Sequence, residues 1–312
     1  VATTDFNTST GNDTHTVVAA DTTTTVASSP DPTDFGETVT ITATVTANAP
    51  GSGTPAGTVN FSIDGGPNQP ATLDGSGQAS ITTSALSVGT HNIVATYVAT
   101  TDFNTSTGND THTVVAADTT TTVASSPDPT DFGELVTITA TVTANAPGSG
   151  TPTGTVNFSI DGGPNQPAAL NGAGQATITT NTLTVGTHNI VATYVATTDF
   201  NTSTGNDTHT VETSATTTLA TSFPDPSGAG ADANFIAVVT PVAPGAGVPT
   251  GTVNFVITDG VTTETPSGTL DTNGVVVVTT DTLPAGNYIV TATYAGDGNY
   301  TGSSDSDTHV VA

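Results

Sequence analysis

The sequence predicts an all-β chain of tandem β-sandwiches arranged end to end, and three observations predict it. A block of roughly one hundred residues recurs: 21–117 returns almost verbatim as 118–214 and, diverged, as 215–312. Inside each block apolar and polar residues alternate with a period of two, the pattern of half-buried strands. Clusters of Gly, Pro, Asn and Asp interrupt that alternation at short intervals, as turns do.

Taken in order, the first block holds about seven strands. The Thr-rich run 22–27 opens it. Next, over 37–47, Val39, Ile41, Ala43, Val45 and Ala47 alternate with Thr40, Thr42, Thr44 and Thr46. In 57–63, Val59, Phe61 and Ile63 alternate with Asn60 and Ser62. Short strands follow at 69–73 and 78–83, the latter carrying Ala79 and Ile81. The run 90–98 sets Ile93, Ala95 and Tyr97 against Val94 and Thr96, and 106–116 closes the block. Turn clusters separate them at Ala49–Pro55, Asp64–Pro70, Asp74–Gly77 and Val88–Thr90. Thr and Val suit a pleated surface with one buried face. Seven such strands, with no helical period, predict an immunoglobulin-like sandwich.

Blocks of this size carry their own core and are whole domains, not solenoid turns. The boundaries fall at 21–117, 118–214 and 215–312, and Val1–Ala20, identical to Val98–Ala117, reads as the last strand of a preceding repeat. A lone strand has no ladder, so either the chain belongs to a continuous polymer whose preceding domain goes with it, or the strand adds to an exposed sheet edge of a neighbouring chain. The joints Ala117-Asp118 and Ser214-Ala215 leave almost no linker, which favours a stiff array.

The order Ser29-Pro-Asp-Pro, Gly36-Glu-Thr-Val-Thr-Ile-Thr-Ala-Thr-Val, Gly57-Thr-Val-Asn-Phe, Leu86-Ser-Val-Gly-Thr-His and Ala95-Thr-Tyr resembles the group 3 bacterial Ig-like repeats of large surface proteins. The resemblance covers all three blocks. It implies a stalk, adhesin or spacer role, and it brings no catalytic residues.

Composition narrows function further. The chain has no Lys and no Arg, and its formal net charge is −27. Binding to nucleic acid needs cations on the protein to replace counterions, so it is excluded. Attraction to anionic membranes is excluded on the same ground. No Cys is present, so neither disulfides nor thiolate chemistry are available. Lys–Asn cross-links are ruled out, and trypsin-like proteases have no site. No apolar run is long enough to span a membrane as a helix.

Chemistry-bearing residues are few. His91 and His188 close Leu-x-x-Gly-x-His, where the third block has Tyr288, and a shared corner hydrogen bond explains both residue types. His15, His112, His209 and His309 recur in Asp-Thr-His, one per block, which lacks the spacing of a zinc site. The cluster Asp31, Asp34 and Glu37, repeated as Asp128, Asp131 and Glu134, is the metal candidate, and Asp102 and Asn104, from the loop before the last strand, are expected to approach it. Calcium takes six to eight oxygen ligands, and no Lys or Arg competes here. A Ser29, His91 and Asp102 triad can be written down, but no nucleophile elbow accompanies it. Asn-x-Ser/Thr sequons recur at Asn7, Asn12, Asn60, Asn104, Asn109, Asn157, Asn201, Asn206 and Asn299.

These readings converge on a non-catalytic, extracellular or cell-surface array. Its expected partners are neighbouring copies of itself in a fibre, and glycans. The alternative is an adhesin module that grips a glycan or a protein through its polar loops.

Overall fold

The computed structural model describes residues 4–312, which are β-strands joined by turns with no helix among them. In the first repeat these are β1 (Thr22–Ser29), β2 (Thr33–Asp34), β3 (Val39–Ala47), β4 (Thr58–Ile63), β5 (Gln69–Thr72), β6 (Gln78–Thr83), β7 (Gly89–Tyr97) and β8 (Ser106–Val115). They form a three-stranded sheet, β1-β3-β6, facing a five-stranded sheet, β2-β8-β7-β4-β5. All neighbours are antiparallel except β2, which lies parallel to β8 with Thr33 opposite Val114.

The expected strand over 37–47 is β3, and the short β2 between it and the first strand was not expected. Pro30 and Pro32 carry no N–H, so the first strand cannot go on pairing with β3. The chain crosses to the other sheet there and pairs briefly as β2.

The second repeat copies this plan with β9 (Thr119–Ser126), β10 (Thr130–Asp131), β11 (Val136–Ala144), β12 (Thr155–Ile160), β13 (Gln166–Ala169), β14 (Gln175–Thr180), β15 (Gly186–Tyr194) and β16 (Ser203–Glu212). The third uses β17 (Thr216–Phe223), β18 (Ala233–Pro241), β19 (Thr252–Thr258), β20 (Thr263–Glu264), β21 (Ser267–Thr269), β22 (Val275–Thr280), β23 (Gly286–Gly296) and β24 (Thr301–Val311). In place of β2 and β10 it has a single parallel bridge, Ser227 to Val311.

The alternation read from the sequence is the burial pattern. Val39, Ile41, Ala43 and Val45 from one sheet meet Val59, Phe61, Ile93, Ala95 and Tyr97 from the other, all at most 1% exposed. Interdigitated inner faces of this kind are the core of a sandwich. The outer faces are rich in Thr, with Ser, Asn and a few exposed apolar residues such as Val277 and Ile289. Edge strands β5 and β13 carry Pro70 and Pro167, opposite Asn60 and Asn157.

By contacts the described residues fall into two compact units. The first runs through Asp118 and takes in Ala144–Gly150 and Thr197–Asn201; the second holds Thr119–Thr143, Thr151–Ala196 and Thr202–Ala312. The 1–20 segment, apart from residues 1–3, which lie outside the described residues, forms no strand between Asn7 and Ala19. Val17 and Val18 are 83% and 79% exposed. The segment meets the sandwich at Ala19, whose carbonyl accepts from the Asn104 side-chain amide, and at Ala20, whose N–H donates to Asp102 O and whose carbonyl accepts from Asn104 N–H.

Candidate functional site

His91 sits early on β7, 6% exposed. Its Nδ1 lies 2.7 Å from Asp64 Oδ2 and its Nε2 lies 2.8 Å from the Ser87 carbonyl. Neither a carboxylate nor a carbonyl can donate, so the site is satisfied in full only when both ring nitrogens carry hydrogen. Burial disfavours that charge. The hydrogen bonds that His91 donates to Asp64 and to the Ser87 carbonyl, with the Asp64 charge, outweigh it and raise the His91 pKa. The hydrogen bond from His91, then the one from the Asn92 N–H, lowers that of Asp64. His188 repeats the arrangement with Asp161 and the Thr184 carbonyl. In the third repeat the Tyr288 hydroxyl donates to the Pro284 carbonyl at 3.0 Å. The corner bond expected from the His-to-Tyr exchange is therefore present in all three. The carboxylate partner, on the far side of a turn where Asp64 and Asp161 adopt φ of 52°, was not foreseen.

His112, His209 and His309 are wholly buried at the sheet seam. Their Nε2 atoms meet Thr33 Oγ1, Thr130 Oγ1 and Ser227 Oγ at 2.8, 2.8 and 2.9 Å. They serve the packing and hydrogen bonding expected of them.

In the acidic cluster Asp31, Glu37, Asp128 and Glu134 each accept a backbone N–H. Asp31 Oδ1 accepts the Thr113 N–H, and Asp128 Oδ1 accepts the Thr210 N–H. Glu37 Oε2 accepts the Asp34 N–H while the Glu37 N–H donates to Asp34 O; Glu134 and Asp131 repeat this. The carboxylates of Asp31 and Glu37 thus serve different backbone groups. Among the described residues no three His, Asp or Glu side chains converge on a metal position. With no guanidinium or ammonium in the chain, backbone N–H groups are the main donors left to a carboxylate. Asp110 shows the same logic: its Oδ2 accepts both the Ser28 N–H and the Ser28 hydroxyl, clasping β8 to β1 across the two sheets. Asp207 and Ser125 repeat it.

The paper triad is not assembled, because both nitrogens of His91 are committed to Asp64 and Ser87. Among the sequons, Asn60 and Asn157 are half-buried on the outer side of strands, while the Asn104 amide donates to Asp21. Tyr97, Tyr194 and Tyr294 each send a hydroxyl to an upstream carbonyl, of Ala56, Thr153 and Thr250, at 2.8 Å. These ties were hidden in the sequence, where Tyr97 read only as one more core position.

Where repeats meet, one set of contacts recurs. Within the first compact unit the Phe35 ring packs edge-on against Phe200, centroids 5.4 Å apart. The Ser149 N–H donates to Phe35 O and the Ser149 hydroxyl to Gly36 O. Ala117 bridges to the loop before β16, its N–H to Asp199 O and its carbonyl from Asn201 N–H. Within the second unit Phe132 meets Tyr300 at 5.5 Å, the Ala246 N–H donates to Phe132 O, and Ser214 takes the place of Ala117. Gly36 and Gly133 have φ of 79° and 83°, and a Cβ on either would lie 2.5 or 2.4 Å from the facing carbonyl oxygen.

The family model for the bacterial Ig-like domain (group 3) matches residues 23–116, 121–214 and 215–312. The chain belongs to this family. No curated protein matches this array of Ig-like domains. Among solved structures it is similar to the Escherichia coli adhesin FdeC, at 17% identity over 93% of this chain and 96% of that one, with a TM-score of 0.28. It is similar to titin domains A168–A170, at 7% identity over 92% and 98%, with a TM-score of 0.36. Invasin, titled a bacterial integrin-binding protein, is similar at 16% identity over 86% of this chain and 56% of its own, with a TM-score of 0.47. In this Ig-like array the recurrent polar groups serve the sandwiches and their joints.

Proposed function

We propose that the chain is a load-bearing segment of an extracellular stalk or fibre shaft, without catalytic activity. One observation carries the reading: successive repeats re-form the same joint, a backbone bridge at Ala117 or Ser214 and an aromatic contact at Phe35–Phe200 or Phe132–Tyr300. A chain whose repeated polar groups are spent inside domains and at joints is built for spacing. Composition supports the location, since a chain without Lys or Arg gives trypsin-like proteases nothing to cut.

Immunogold labelling of intact source cells, with antibody raised against the repeats, tests it. The label is expected outside the envelope, on projecting structures. Label confined to the cell interior, or binding of the purified chain to a defined glycan on an array, would replace this reading with another.

A further inference from the structure

Two joints are filled, and the first repeat carries a face built like their receiving sides. In the second repeat the receiving pole consists of Ser149, Gly150 and Phe200 around Ala117; in the third it is Ala246, Gly247 and Tyr300 around Ser214. The same positions in the first repeat are Ser52, Gly53 and Phe103 around Ala20. The local geometry is equal: Ala20, Ala117 and Ser214 make the same parallel bridge, to Phe103, Phe200 and Tyr300. Gly53 has φ of 98° where Gly150 has 103° and Gly247 has 105°.

What differs is cover. Phe200 and Tyr300, roofed by Phe35 and Phe132, are 4% and 3% exposed, and Ala117 and Ser214 are fully buried. Phe103 and Ala20 are only half-buried, and Gly51 is half-buried where Gly148 and Gly245 are buried. Gly148 has Asp34 Cβ 3.4 Å from where its own Cβ would stand, while the matching Gly51 meets only Ala20 and Asn48 there.

The inserting side has a rule of its own. Phe35 and Phe132 donate their N–H groups to Val115 O and Glu212 O; at the same ladder position of the third repeat the Ala229 N–H donates to Ala312 O. Ala229 is exposed and has no ring to insert, and Gly230 beside it meets nothing within 4 Å.

We propose that the Ser52, Gly53 and Phe103 pole is a socket that takes the Asp-Phe-Gly turn of a repeat of the first or second type when one stands ahead of it in the same chain. The turn's phenylalanine stacks edge-on against Phe103, and its two carbonyls accept from the Ser52 N–H and hydroxyl. A repeat of the third type, with alanine at that place, does not fit. The socket concerns the joint alone, so its failure would leave the surface-stalk reading standing, and the reverse also holds.

The test lengthens the 312-residue chain. Placing a copy of residues 21–97 ahead of Val1 completes a repeat, because Val1–Ala20 repeats Val98–Ala117. Amide hydrogen exchange is then followed at Ser52, and at β3 and β7 as controls. Ser52 is expected to exchange about tenfold more slowly, or slower still, than in the 312-residue chain, as a newly hydrogen-bonded amide does. Phe35→Ala in the added copy should abolish the slowing while the controls hold. Equal Ser52 exchange in both chains, or slowing that survives the alanine, overturns the proposal. Protection in the unlengthened chain that grows with its concentration also overturns it, since a second copy would then fill the socket.

Discussion

Replacing His91 and His188 with tyrosine should remove a pH dependence confined to the first two repeats. The folded-state histidine pKa is raised, so the folded state holds its proton at pH values where the unfolded chain releases it. Stability from each pair is fully present below the unfolded value of about 6.5 and is lost as pH rises through the folded one. Asp64 and Asp161 are lowered, so their share is present above about 3.9 and is lost as pH falls through their folded values. The pairs are therefore most effective in mildly acidic solution. One proton per pair bounds the slope at about 1.4 kcal/mol per pH unit. For a domain of this size that is a fall in melting temperature of at most about 5–10 °C per pH unit. Tyrosine is the right replacement because Tyr288 keeps the corner bond to Pro284 O, and burial pushes its phenol above the usual range, far from neutral pH. The assay is scanning calorimetry from pH 5 to 8 on the parent and on His91→Tyr/His188→Tyr. The difference between the two curves cancels the self-repulsion of the acidic surface. Parallel pH curves for parent and variant would refute the reasoning.

Phe61→Ala opens a cavity at a fully buried position and should cost about 3–5 kcal/mol, read as a lowered urea midpoint for the first repeat alone. Asp110→Ala strips the acceptor from the Ser28 N–H and hydroxyl and should cost about 1–3 kcal/mol by the same measurement, with Asp110→Asn costing less. Phe132→Ala should loosen the joint by about 0.5–1.5 kcal/mol and separate the melting of the second and third repeats while each still folds. Calcium against chelator should leave the melting curve unmoved, because Asp31, Glu37, Asp128 and Glu134 are already bonded to backbone N–H groups; a reproducible rise with calcium would restore the cation site.

Period-two alternation made the core legible, since burial in a sheet follows parity and Val39, Ile41, Phe61 and Ile93 obey it. The corner was legible because His91 and Tyr288 share one demand, a donor aimed at a carbonyl. Partnerships across sequence distance were not. Asp64 reads as an ordinary turn residue until the fold brings His91 to it. The Asp31, Asp34 and Glu37 spacing looks like a ligand set because sequence shows which carboxylates are near but not which N–H groups each faces. Phe35 and Phe200 lie in different repeats, and no local pattern links them.

The edge prolines bear on how such a chain reaches its fold at all. Neighbouring domains with nearly the same sequence can exchange strands while folding, because a strand of one repeat suits the sheet of the next. Pro70 and Pro167 sit in the outermost strands of their five-stranded sheets, where a missing N–H spoils the template for an intruding segment. Two near-copies can therefore emerge side by side and still close separately.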